Sequence, residues 1–154
     1  MNPLSSMVDI VIMAVTAWRE NRGGGVPGMQ SVINAITNRA NRDKVSMYTE
    51  CVRRLQFSSM TAVGDPELVL WPQDTDTLWL QALQMAQQAV NGTLADLTHG
   101  AVDYYAPKGL LAGRQDPVPF VLPDGTPVAF PKGWNRKALT FTAEIEGQLF
   151  FREE

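Results

Sequence analysis

The sequence predicts a mainly α fold of the α+β class, with a helical N-terminal part and a small C-terminal β-hairpin region. Apolar residues recur at helical spacing as far as about residue 91, whereas six prolines and four glycines fall between residues 106 and 133. The chain has 154 residues, 45% of them hydrophobic, which is enough for one compact domain and too apolar for a disordered chain. We expect one domain over 1–154, with a helical core at 1–105 and a loop-rich β segment at 106–154.

Four helices are predicted in the first part of the chain. The first is capped by Ser5 or Ser6, is apolar nearly all round and therefore buried, and ends at the glycines of 23–25. The second begins near Pro27 and continues to about residue 41, and a third, shorter helix includes 48–55. The fourth begins near 74–76 and ends at 91–92. The residues expected on its inward face are Leu78, Leu83, Ala86 and Val90.

Two strand pairs are predicted in the last third of the chain. An Asp-Gly pair at 124–125 favours a tight hairpin turn within 118–130. A second pair over 141–151 turns at the Glu-Gly pair of 146–147.

Composition excludes several classes of function. The net charge of −3 argues against a basic groove for nucleic acid. The single Cys51 excludes an internal disulfide, and the single His99 excludes a His-rich zinc site, so we expect no metal and no cofactor. We expect His99 to have a structural or surface role. The apolar N-terminal stretch has no basic start and is interrupted by Asp9, which predicts neither an export signal nor membrane insertion.

Glu20 is the first candidate for chemistry. It lies at the C-terminal end of the most apolar helix, where carbonyl dipoles and apolar neighbours both favour the protonated carboxyl group. A glutamic acid that keeps its proton near neutral pH is what general-acid cleavage of a glycosidic bond requires. The same local pattern also fits a surface residue paired with Arg19 or Arg22.

Two further clusters carry groups suited to sugars. Gln56 and Ser58 flank Phe57 and offer short polar side chains for hydroxyl and acetamido groups, although the local pattern fits a helix end with Phe57 in the core better. Asp103, Tyr104 and Tyr105 form the other cluster. In an extended segment alternate residues face opposite ways, so one tyrosine is expected to face a groove and the other to pack inward.

These motifs together resemble the SleB-type cell-wall hydrolases, a family that includes spore cortex-lytic enzymes. The opening motif is seen at 14–29 (AVTAWRENRGGGVPGM), followed by VINAITNR at 32–39. The Gln-Phe-Ser element matches 56–58, and the element before the tyrosine pair is similar to THGAVDYYAP at 98–107. Trp134 and IEGQLF at 145–150 resemble the family's terminal pattern, so the likeness extends over nearly the whole chain in order.

The resemblance implies a lysozyme-like single catalytic domain with Glu20 as the acid and base. It implies cleavage of the β-1,4 bond between N-acetylmuramic acid and N-acetylglucosamine by lytic transglycosylation, with 1,6-anhydro products. Gln56, Ser58, Asp103, Tyr104 and Tyr105 are the corresponding substrate-binding residues, and peptidoglycan glycan strands are the partner.

The expected setting is phage or prophage lysis of a host cell. An endolysin of this kind is made in the cytoplasm, depends on a separate holin for access, and acts on peptidoglycan in the periplasm or cell wall. The sequence departs from the family at Gly24, at Asp103 and in the long segment 108–132. A hydrolytic muramidase, with Asp103 opposite Glu20, and a non-catalytic glycan-binding or virion structural protein therefore remain as alternatives.

Overall fold

A computed structural model describes residues 3–54, 56–112 and 117–154. It confirms a mainly α chain of the α+β class with a small antiparallel β region near the C-terminus. The chain forms two compact units, Met1–Leu97 and Thr98–Glu154. All of the long helices belong to the first unit and all of the described strands to the second.

The helical unit is built on three long helices. Their bounds are Pro3–Asn21 (α1), Gly25–Asp43 (α2) and Thr77–Val90 (α5), with the shorter α3 at Met47–Cys51 and α4 at Ser58–Thr61. Single turns of 3-10 helix occupy Arg22–Gly24 and Pro66–Val69. Helix α1 packs against both α2 and α5, and the contact is made by small and branched apolar residues. The fully buried members include Met13, Ala14, Ala17, Val32, Ile33, Ile36, Ala82 and Ala86.

Helix α1 differs from the sequence prediction in its burial. Its C-terminal half is buried from Met13 to Arg19, but Met7, Val8 and Val11 in its N-terminal half are exposed. Apolar residues alone do not fix burial, because the neighbouring helices cover only one end of α1. Ser5 and Ser6 lie inside the helix, so neither is its N-terminal cap.

The other helices follow the prediction more closely in extent than in orientation. Helix α5 begins after Asp76, whose carboxylate accepts from the backbone N–H groups of Leu78 and Trp79. Its inward face was predicted correctly at Ala86 and wrongly at Leu78, Leu83 and Val90, which are half-buried. The other buried residues of α5 are Ala82, Met85 and Ala89. Helix α3 ends at Cys51, and residues 52–54 form turns and a bend, so the predicted helix over 48–55 is too long; Leu55 itself lies outside the described residues.

The second unit contains five strands in two antiparallel sheets. One is three-stranded with the order β1 (Asp103–Tyr105), β5 (Gln148–Glu153) and β4 (Leu139–Ile145), and the other pairs β2 (Val118–Val121) with β3 (Pro127–Phe130). Both predicted hairpins are confirmed. The prediction placed 103–105 in the helical core, whereas these residues form a strand paired with β5. A short helix, α6 (Pro107–Ala112), follows β1.

An aromatic cluster forms the core of the second unit. Tyr105, Phe130 and Phe151 are buried, and Trp134 packs against them edge-on with ring centroids 5.5 to 6.2 Å apart. Edge-to-face and offset contacts of this kind are favourable beyond the area they bury. The cluster explains how a short sheet with few residues is held in one arrangement.

Candidate functional site

Glu20 lies in the last turn of α1, where the helix leaves the buried core. Its carboxyl group is half-buried, and the hydroxyl of Ser59 donates a hydrogen bond of 2.7 Å to its Oε1 atom. Burial raises the pKa of Glu20 above its usual value, and the hydrogen bond from Ser59 opposes that rise. The negative charge of Asp65 raises the pKa further, whereas the positive charge of Arg39 lowers it. Burial is the largest effect, so the site favours the protonated acid.

Arg39 connects Gln56 to this carboxyl group. Its guanidinium group is buried on α2 and lies over the ring of Phe57, 5.5 Å from the centroid. With the Gln56 side-chain oxygen turned towards Arg39, it accepts hydrogen bonds from Nη1 and Nη2 of Arg39 at 2.5 and 3.1 Å. Gln56 therefore acts on Glu20 through Arg39. Phe57 itself is in the core, as the alternative interpretation of this motif predicted.

Two adjacent serines at the start of α4 hold two carboxyl groups. Ser59 is buried and binds Glu20, whereas Ser58 is exposed and donates to Asp65. The hydrogen bond from Ser58, together with the backbone N–H of Glu67 at 2.9 Å from Asp65 Oδ1, holds the pKa of Asp65 below its usual value. The serine that contacts the candidate acid is thus the neighbour of the one predicted from sequence.

Three side chains, two at the C-terminal end of α1 and one in the 3-10 turn after it, attach the 59–76 segment beside Glu20. Arg19 donates to the carbonyl oxygen of Leu70 at 3.0 and 3.1 Å and to that of Ser59 at 3.1 Å. Arg22 forms a two-point ion pair with Glu67 at 2.6 and 2.9 Å.

The indole N–H of Trp18 donates to Asp76 at 2.8 Å and completes these attachments. The alternative in which Arg19 or Arg22 simply pairs with Glu20 is wrong, because both guanidinium groups bind this segment instead.

A second buried carboxyl group in the helical unit was missed in the sequence. Glu50 has no exposed surface, and its Oε2 lies 3.0 Å from Nη2 of Arg53, yet neither carboxylate oxygen accepts a well-formed hydrogen bond within the described ranges. Its neighbour Cys51 is also buried, and burial raises the pKa of that thiol to about 12. A thiol with such a pKa is a core group and not a nucleophile.

The remaining predicted residues lie in the second unit. Tyr105 packs inward, and its hydroxyl donates to the carbonyl oxygen of Ala129 at 2.7 Å. Tyr104 faces the other way and stacks on Phe150 with centroids 5.2 Å apart. The expected division between an inward and an outward tyrosine is therefore seen, and Tyr105 is the inward one. His99 is an exposed turn residue with a φ of 53°.

Asp103 lines a cleft of about 280 Å³ within the second unit. Its other walls are formed by residues of the β3–β4 connection and of β5: Trp134, Asn135, Ala138, Leu139, Glu153 and Glu154. The structure thus groups the predicted residues in two sets, with Glu20, Gln56 and Ser58 in the helical unit and Asp103, Tyr104 and Tyr105 in the other.

Ser59, Asp65 and the contribution of Arg39 were not predicted from the sequence. Arg39 stood in the Asn-Arg motif and Ser59 next to the Gln-Phe-Ser motif, but no spacing rule joins either residue to Glu20. Asp65 precedes a proline and accepts from the N–H group two residues on. In the sequence this is a common turn pattern, so it gives no sign that the carboxylate lies near Glu20.

No protein-family model, curated protein or solved structure matches the chain. Within residues 3–54, 56–112 and 117–154, no group of three or more His, Cys, Asp or Glu side chains is placed to hold a metal ion. No helix of the same ranges has both the length and the apolar character needed to cross a membrane.

Proposed function

We propose that the chain cleaves the β-1,4 glycosidic bond between N-acetylmuramic acid and N-acetylglucosamine in peptidoglycan, with Glu20 as the general acid. The observation that carries the proposal is the environment of Glu20: a half-buried carboxyl group with a raised pKa, held at one oxygen by Ser59. Acid catalysis needs a carboxyl group that keeps its proton towards neutral pH, and burial moves the pKa of Glu20 in that direction. The sequence resemblance to SleB-type enzymes supplies the substrate class.

The proposed reaction is lytic transglycosylation. Glu20 gives its proton to the glycosidic oxygen as the bond from that oxygen to C1 of the muramyl residue breaks. The C6 hydroxyl of the same residue then attacks C1 and returns its proton to the Glu20 carboxylate. The product has a 1,6-anhydro end, no water is consumed, and the acid is regenerated for the next turnover.

The surrounding charges suit both halves of this cycle. Asp65 stays ionised because Ser58 and a backbone N–H stabilise its carboxylate, and its charge favours the positive charge that develops at C1. Arg39 favours the Glu20 carboxylate once the proton has left. A purely apolar niche would make the acid easy to protonate but unable to release its proton.

A hydrolytic muramidase is the second candidate, and Asp65 is the observation that favours it. A pair of carboxyl groups whose environments move their pKa values in opposite directions is the usual arrangement of an acid with a nucleophile or base. Asp65 would be the nucleophile or base, a role for which Asp103 was the candidate from the sequence. Water in place of the C6 hydroxyl would leave a reducing end.

Mass spectrometry of muropeptides released from purified peptidoglycan tests these proposals. We expect anhydro ends from the wild type, with Glu20→Gln reducing the rate by roughly 10²- to 10⁴-fold. Glu144→Gln, at an exposed position of β4, is the matched control and should act as the wild type does. Reducing ends would establish the muramidase, and wall binding with no product of either kind would favour a glycan-binding or virion structural protein.

The proposed biological setting is host-cell lysis by a phage-type endolysin, an inference that rests on the resemblance. The enzyme would act on peptidoglycan in the periplasm or cell wall after a separate holin has opened the membrane. Induced expression in host cells with and without a holin tests this directly. Lysis that is equally rapid without the holin would contradict it.

A further inference from the structure

Trp71 is an exposed aromatic residue on an anchored segment of the helical unit. Its side chain is 69% exposed, although an indole is among the largest apolar surfaces a residue can offer. The segment around it is attached to α1 at the Leu70 carbonyl and at Asp76. It is also attached at Glu67 to Arg22, in the 3-10 turn after α1. The exposure of Trp71 is therefore a feature of the folded structure and does not result from a loose loop.

One face of the Trp71 ring is covered and supported. The guanidinium carbon of Arg19 lies 4.7 Å from the ring centroid, and Arg19 itself is only 6% exposed. Its position is fixed by the bonds to the carbonyl oxygens of Leu70 and Ser59. Because Arg19 covers one face of the ring, the exposed surface of Trp71 is mainly its opposite face. The ring therefore presents a rigid flat surface to solvent.

The same contacts connect this surface to the candidate acid. Arg19 precedes Glu20 in α1 and binds the backbone of Ser59, whose hydroxyl donates to Glu20. Arg19, which lies under the Trp71 ring, and Glu20 are thus linked through the hydrogen bonds of Ser59. A ligand held on the Trp71 ring would be held in a defined position relative to the proton donor.

The charges of the segment indicate what kind of ligand the ring takes. Residues 63–76 include four acidic side chains and no Lys or Arg, which disfavours a phosphodiester or another anionic ligand. The C–H face of a neutral pyranose fits a flat indole without requiring a countercharge. The acidic residues in this range are Asp65, Glu67, Asp74 and Asp76.

We propose that Trp71 is a stacking platform for an N-acetylated sugar ring of the glycan strand, beside the bond that Glu20 cleaves. The proposal rests on the proposed function and names a binding residue for it. Stacking on one aromatic ring predicts a loss of about 2- to 12-fold in kcat/KM for Trp71→Ala, mostly through KM, with Trp71→Phe close to the wild type.

Two measurements test the platform, with Val63→Ala, a fully exposed apolar position of the same segment, as the control. The first is kcat and KM for release of muropeptides from peptidoglycan. The second is quenching of tryptophan fluorescence by an N-acetylglucosamine hexasaccharide in the Glu20→Gln background, which needs no turnover. We expect weaker binding in Trp71→Ala and loss of the quenching in Trp71→Phe.

The outcomes separate the two proposals. Muropeptide release by Trp71→Ala equal to that by Val63→Ala, with quenching unchanged, would overturn the platform and leave the proposed function standing. No product from the wild type, together with quenching that depends on Trp71, would overturn glycan cleavage and support the platform as a sugar-binding surface. No quenching in any variant, together with unchanged kinetics, would also overturn the platform.

Discussion

Replacing Ser59 with alanine tests the environment of Glu20 directly. The 2.7 Å hydrogen bond from the Ser59 hydroxyl is stronger to a carboxylate than to a neutral carboxylic acid, by about 1 kcal/mol. Its removal therefore changes the ratio of ionised to protonated Glu20 by roughly fivefold in favour of the acid. The expected result is a higher pKa for Glu20 in Ser59→Ala than in the wild type.

The assay is an NMR titration of the side-chain carboxyl carbon of Glu20, assigned by comparison with Glu20→Gln. Ser58→Ala is the matched control, because its hydroxyl binds Asp65 and not Glu20. The alkaline limb of the pH–rate profile for peptidoglycan cleavage should shift to higher pH in Ser59→Ala and stay unchanged in Ser58→Ala. A Glu20 titration midpoint that stays the same or falls in Ser59→Ala would refute the reasoning.

Three further predictions concern stability and reactivity. Burial raises the folded-state pKa of Glu20, so the folded protein binds its proton more tightly than the unfolded chain, and stability falls as pH rises between the two values. In urea unfolding, the free energy of unfolding of Glu20→Gln should therefore exceed that of the wild type at about pH 7.5 and nearly equal it at about pH 4. The same difference at both pH values would contradict this. Burial raises the pKa of Cys51 to about 12, so a thiol reagent at neutral pH should label it only after denaturation, and rapid labelling of the native protein would contradict its burial. Phe151→Ala removes a fully buried ring and should cost about 3–5 kcal/mol in the urea unfolding of the second unit, while the exposed Val121→Ala should cost under about 0.5 kcal/mol.

The parts of the fold that depend on local sequence could be predicted. The turns at Gly125 and Gly147 need a positive φ, with observed values of 89° and 76°, and the sequence marks both positions with glycine. The acidic cap of α5 at Asp76 is likewise a local signal. Strand β1 was missed because it has only three residues and forms through pairing with Phe150 and its neighbours, some 45 positions away.

The sequence pointed to Glu20 as the centre of the candidate site but not to the residues that surround its carboxyl group. Glu20 was found because a carboxyl group at the end of an apolar helix is a local pattern. Ser59, Arg39 and Asp65 were not found, because which of two adjacent serines faces the acid depends on how α4 lies against α1. The burial of α1 was overestimated for the same reason: apolar residues occur along its whole length, but tertiary packing covers only part of it.

The placement of Trp18, Arg19 and Arg22 around Glu20 in one helical end has a consequence for how the molecule fails. The segment they attach also carries Ser59 and Asp65, which modify the pKa of Glu20 that burial raises. Partial release of this segment would admit solvent and return the carboxyl group to ordinary acidity while the long helices are still assembled. Warming would then stop the proposed cleavage at a lower temperature than it unfolds the long helices.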